Sequence, residues 1–357
     1  MSVSAPASVS APPSHAARCV VLPGMRGPWT ERLFSALLQA PGTDIEVDDL
    51  AVGAHGALQD HDLQLALYVA YELHYATIEG VDDRWEWSPS LLGFRQTAER
   101  HFDRAVEELV PDCALQGTTD VGGALQRLVG GDEGPPLSRF VEARATREQV
   151  LEHVIHRSAY QLKEADPHSW AIPRLSGAAK AALLEIQFDE YGEGKPERMH
   201  SFLFAETMRG LGLDASYGAY LEQLPGITLA TVNLMSGFAL HRRRRGAIVG
   251  HLAAFEMTSS IPNRRYGNAL RRLGYGPDVT DFYDEHVEAD AVHENIAAWD
   301  LAGALARAEP QLAREILFGA YALLALEGLW AERLLDCWRE GASSLLGPVA
   351  SAEHSVR

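Results

Sequence analysis

Cysteine is scarce in this chain. Cys19, Cys113 and Cys337 are its three cysteines in 357 residues, and no two form a CxxC pair. That usage excludes a disulfide framework and suits a reducing cytoplasm. Positive charge is also short: 31 Lys and Arg stand against 49 Asp and Glu, a formal net charge of −18. Such a balance argues against a nucleic-acid or anionic-membrane partner. The acids are spread along the chain, so they point to solubility more than to a specific partner. The N-terminal stretch MSVSAPASVSAPPSHAARC has no cationic segment followed by an apolar one, and so does not read as a secretory signal. Long apolar runs are missing too. The most apolar, Ile316 to Leu329, contains Glu327 and is followed by Glu332 and Arg333, which suits a buried helix better than a membrane span. There is no GxGxxG, no P-loop, no internal repeat and no convincing strand alternation.

What is present is helical period, supported by an apolar content of 46%. Thr30 can cap a first helix through Leu38, and residues 57–79 and 91–109 carry apolar side chains at three- and four-residue spacing. Residues 110–135 are rich in glycine and end on Pro135, reading as a long connection or boundary. Further helices are expected over 146–164, 176–190, 197–211, 225–243, 246–259, 279–305 and 309–341. The fold class is all-α. The expected organisation is a disordered tail over 1–24, an N-terminal helical region over 25–135, a main helical domain over 136–345 and a C-terminal tail over 346–357.

The most informative stretch is DEHVEADAVHE, Asp284 to Glu294. Its His286, Asp290 and His293 fall at i, i+4 and i+7 and share one helix face. Imidazoles and a carboxylate converging on one face suit iron or manganese. The two histidines are about 10 Å apart along a helix axis, which favours two metals over one. Such a pair needs acids from other helices. Glu256 sits in the apolar GHLAAFEMTSS, and Glu164 ends a helix in AYQLKEADPHSW. Glu190 and His200 bracket EYGEGKPERMH, where Gly192, Gly194 and Pro196 allow the chain to break and bring them together. His251 is read as a satisfied helix histidine or a supporting residue. The run Arg242 to Arg245 is read as a helix C-terminus. His74 with Glu72, and His153 with His156, have no evident partners.

The order Glu164, Glu190, His200, Glu256, His286, Asp290, His293 resembles the heme-oxygenase-like diiron oxidases. The segment KEADPHSWAIPRLSGAAKAALLEIQFDEYGEG resembles especially their N-oxygenating branch, which includes the enzyme that builds the nitrosourea of streptozotocin. The likeness runs over roughly Arg157 to Leu305. It implies a heme-oxygenase-like helical bundle whose seven residues ligate two Fe(II)/Fe(III) ions. It further implies O2 as cosubstrate, an external electron donor and a peroxo-diferric intermediate that oxidises an amine, guanidine or amino-azole nitrogen of a small specialised metabolite. That enzyme continues into a cupin domain, whereas this chain stops at Arg357, so its second reaction is expected to be absent. Haem binding fits these ligands poorly. Two other readings stand: a diiron desaturase or C–C cleavage enzyme acting on an amino or fatty acid, and a non-catalytic iron-binding helical protein. Cytoplasmic localisation is expected, and a homodimer is allowed.

Overall fold

The computed structural model describes residues 18–111 and 118–347. Most of the expected N- and C-terminal tails, and Cys113, lie outside them. The described start of the 1–24 segment is docked on the body. Cys19–Val20 (β1) pairs in parallel with Thr77–Ile78 (β2), and the Gly24 amide donates to Glu222. These two-residue strands do not change the class, which is all-α.

Between the strands lie α1 (Pro28–Leu37) and α2 (His61–Glu72). Thr30 is inside α1 rather than at its cap, where its hydroxyl accepts from the Arg26 amide at 2.7 Å. The start of α1 is held from α2 instead, because Asp62 accepts from the Trp29 and Thr30 amides at 2.7 and 2.9 Å. Then come α3 (Pro89–Leu109) and α4 (Val121–Gly130). The glycine-rich stretch expected to be a connection thus contains a helix. Asp120 caps it through the Gly123 amide at 2.9 Å, and Gly122 lies under the Trp299 ring.

The main body begins with α5 (Leu137–Ala143) and α6 (Arg147–Gln161). Thr146 and Gln149 close a reciprocal capping box at the start of α6. The helices α7 (Asp166–Ser169), α8 (Gly177–Glu190), α9 (His200–Gly210) and α10 (Gly226–Leu240) follow. Arg242–Arg244 form a turn between α10 and the next helix, with Arg243 and Arg244 reaching Asp103 at 2.8 and 3.4 Å.

α11 (Arg245–Arg272) runs through Pro262, well past the expected end at residue 259. A proline inside a helix costs about 3 kcal/mol. Tertiary contacts offset it here: Arg272 beyond the proline donates to the carbonyls of Glu142, Val141 and Ala145 at 2.7, 3.0 and 2.8 Å. α12 (Pro277–Asn295) continues through a π-helical stretch, Ile296–Gly303, into α13 (Ala304–Ala308). The last helix is α14 (Ala313–Arg339). α11 and α14 cross with backbone against backbone. A Cβ on Gly250 would lie 1.7 Å from the Ile316 carbonyl oxygen, and one on Gly319 would lie 1.9 Å from that of Ala247. Among the described residues no helix is long and apolar enough to cross a membrane.

Candidate metal centre

Four segments bring polar side chains into an interior that is otherwise apolar. Glu164 lies just past the end of α6, before Ala165, whose backbone is held at φ 75. A left-handed conformation at a residue with a Cβ is a strain that surrounding structure must impose. Glu190 is the last residue of α8, and His200 is the first of α9. Between them Gly192, Glu193 and Gly194 have φ 66, 55 and 80. A Cβ on Gly192 would meet the Arg198 carbonyl carbon at 2.5 Å, so the reversal needs glycine there. The reversal sets Glu190 Oε2 3.0 Å from His200 Nδ1. Glu256 comes from α11, and His286, Asp290 and His293 from α12.

All seven side chains are buried. His286 Nε2 is 3.5 Å from Glu164 Oε1, and His293 Nδ1 is 3.3 Å from Glu256 Oε2. The His200 and His286 rings are 4.3 Å apart. Two ligand sets emerge. Glu164, Glu190, His200 and His286 each offer an atom within 4.8 Å of the others, and so do Glu190, Glu256 and His293. Glu190 is common to both. Asp290 is in neither set: its Oδ2 accepts from the Ser259 hydroxyl at 2.7 Å, and it lines a small gap with Glu164, Glu190, Glu256 and His286.

Two ligand atoms, Glu164 Oε2 and His200 Nε2, have no hydrogen-bond partner although they are buried, and His200 Nδ1 and His293 Nδ1 face carboxylate oxygens at 3.0 and 3.3 Å without hydrogen-bond geometry. Such orphans are rare in native interiors and call for an explanation, a bound ion among them. The charge state agrees. Burial pushes the Glu164 and Asp290 carboxyls up and takes Glu256 to about 8. Burial would also raise Glu190, but the nearby imidazole of His200 outweighs it and holds that carboxyl down to about 2. For the histidines burial works against the charged form. It is outweighed chiefly by Glu190 at His200, by Glu164 at His286 and by Asp189 at His293, which rises to about 10. The pocket thus draws in positive charge. When ionised, its four carboxyl groups match two divalent cations in charge, and its oxygen and imidazole donors suit iron.

Three supporting groups were not evident from spacing. Asp189 Oδ2 lies 3.0 Å from His293 Nε2, which leaves Nδ1 for a metal. The Phe282 carbonyl accepts from His286 Nδ1 at 2.8 Å, which leaves Nε2. Ser259 orients Asp290. The available signals were adjacency of Asp189 to Glu190 and the position of Ser259 one turn after Glu256. His251 instead pairs with His168 at 3.2 Å and stacks on Phe255. His74 bonds Glu86 at 3.0 Å rather than Glu72, whose carboxylate is paired with Lys163. His156 is held by Thr228 and Ser344 at 2.7 and 3.0 Å.

Residues 151–328 match the family of iron-containing redox enzymes, a span that includes all seven side chains. This part of the chain belongs to that family. The heme-oxygenase-like helical body is therefore that of an oxidoreductase family, and its buried His and Glu clusters suit a metal. The chain is also 26% identical over 170 residues to a nitrosourea synthase from Streptomyces achromogenes subsp. streptozoticus. The match covers 47% of this chain and 36% of that relative, so the chain spans about a third of its length.

Proposed function

We propose that the chain is a non-heme diiron oxygenase. Glu164, Glu190, His200 and His286 hold one iron, and Glu190, Glu256, Asp290 and His293 hold the other. With O2 as cosubstrate and an external electron donor, the enzyme oxidises an amine, guanidine or amino-azole nitrogen of a small specialised metabolite. The observation that carries this reading is the presence of Glu190 in both ligand sets, the place of a carboxylate shared between two metals. Likeness to a nitrosourea synthase supports nitrogen as the oxidised atom.

When bound, the irons supply the electron transfer that activates O2. The chain does the rest. The Phe282 carbonyl and Asp189 fix which nitrogens of His286 and His293 face the metals. Ser259 holds Asp290 at the gap, one helical turn from both histidines. Burial of all seven side chains keeps bulk water away.

Loading with Fe(II) under argon is expected to reach about two irons per chain. Zinc is expected to occupy the site without turnover, since it has no accessible redox change. Exposure to 18O2 with a panel of amines, guanidines and amino-azoles is expected to give products with label on nitrogen by mass spectrometry. An alkene or a shortened carbon skeleton with nitrogen unoxidised overturns the nitrogen assignment. Equal turnover with zinc overturns the diiron reading.

A further inference from the structure

A cavity of about 230 Å³ lies beside the metal centre and ends at Glu164 and His286. One wall is a stripe of α6. His153, Arg157 and Gln161 recur every four residues along it, and Glu164 lies three residues on. Spacing of this kind puts the side chains on one face, about 6 Å apart per step.

The groups along this stripe are unequal. Arg157 is committed: it donates to both Glu327 oxygens at 2.9 and 2.6 Å, and its guanidinium lies 3.9 Å from the centre of the Trp330 ring. It is the one Lys or Arg among the described residues on the wall. Gln161 and His153 are not committed. Gln161 Oε1 and His153 Nε2 are buried and have no hydrogen-bond partner. Burial, with Arg157 close by, pushes the His153 imidazole well below its ordinary value, so it is neutral. Its ring lies 4.3 Å from that of Tyr266, so the chamber also offers aromatic surface.

We propose that this cavity is the substrate chamber, that it takes a small neutral or cationic molecule bearing N–H donors, and that Gln161 is the specificity residue accepting one of them. The proposal rests on the diiron reading for what becomes of the bound molecule, but not for what binds. A carboxylate ligand finds no free side-chain cation on the wall, because Arg157 is matched by Glu327 and His286 by Glu164. An alkyl chain leaves Gln161 Oε1 desolvated and unpaired, the costly outcome for a buried acceptor. A donor N–H satisfies it, in a chamber whose wall also includes Glu164, three residues along the chain. Aromatic faces favour a flat or cationic group over an anionic one.

The test uses three isosteric probes, benzamidine, benzamide and benzoate, titrated calorimetrically into the full chain under argon, both without metal and loaded with Fe(II). Benzamidine and benzamide are expected to bind at least about tenfold more tightly than benzoate without metal, a gap of about 1.4 kcal/mol, and the Fe(II)-loaded titrations compare benzamidine with benzamide only, since benzoate can ligate iron. Gln161→Leu is expected to weaken both by about tenfold, and Gln161→Glu to restore benzamidine. Leucine removes an unpaired buried acceptor, so the variant is expected to melt no lower than the parent. If Gln161→Leu does not fold, Gly328→Leu carries the test. A Cβ there has its nearest neighbour, Pro135 Cδ, at 3.9 Å, so a larger side chain narrows the chamber. It is expected to weaken benzamidine at least about tenfold. Benzoate binding as tightly as benzamidine without metal, or benzamidine binding unchanged in the folded variant, overturns the proposal. Failure to load a second iron counts against the diiron reading and leaves the probe contrast to stand or fall by itself.

Discussion

Glu190 belongs to both ligand sets, so its removal is expected to differ from that of any other acid in the centre. Glu190→Ala is predicted to lose both irons. Glu256→Ala is predicted to keep the iron on Glu164, Glu190, His200 and His286. Counting iron per folded chain after anaerobic loading separates the two, and retention of both irons by Glu190→Ala would end the shared role. Asp189 acts through another residue: its carboxylate fixes His293 by its Nε2. Asp189→Asn is predicted to weaken the iron held by His293 by about 10–100-fold, the usual scale for a partner of a ligating histidine. Titration with Fe(II) should show that loss on one iron only. Equal weakening of both would mean that Asp189 shapes the whole pocket rather than one imidazole.

At the level of elements, the centre depends on how α11 is seated. α11 carries Glu256 and Ser259, and crosses α14 through Gly250 and Gly319 with no room for a side chain. Neither backbone can yield to an added methyl without moving its whole helix. Gly250→Ala and Gly319→Ala are each predicted to destabilise the fold by about 3 kcal/mol, the upper end for overpacking in a rigid interior. Urea unfolding would measure it, and a change under about 1 kcal/mol would show that the crossing adjusts. The reversal between α8 and α9 is the other exacting element, since it alone brings Glu190 to His200. Its glycines at positive φ were visible as residues that allow a break. The conformation they adopt was not visible, because glycine permits several.

For the whole molecule, buried neutral histidines set a response to acid. His156 is enclosed by Thr228, Ser344 and Trp330. Burial, reinforced by Arg157 and Arg333, takes its pKa from 6.5 to about 3. The folded state therefore binds fewer protons than the unfolded chain between those values. The contribution to stability is complete above about pH 6.5 and is lost as pH falls toward 3, at up to about 1.4 kcal/mol per pH unit. His156→Gln is predicted to flatten this dependence by one proton over that window. Denaturation of parent and variant from pH 7 to pH 4 would reveal it, and parallel curves would mean that other groups carry the acid response.

Local order accounts for what was legible in the chain alone. Helical period and capping act over a few residues, so α3, α6 and α8, and the run from α12 through α13, lie close to their expected spans. His286, Asp290 and His293 share a face for the same reason. Where a local signal met a tertiary one, the tertiary contact won. The expected helix stopped at residue 259, but the Arg272 anchors carried α11 on through Pro262, and the glycine-rich stretch 110–135 was read as a connection, but α4 packs there under Trp299. The pairing of Glu164 with His286 and of His293 with Asp189 is of this second kind. Spacing along the chain says which side chains can share a helix face. Only the packing of α6, α8, α9, α11 and α12 against one another decides that one glutamate belongs to two sets of ligands, and that a cavity with an unpaired amide oxygen opens beside them.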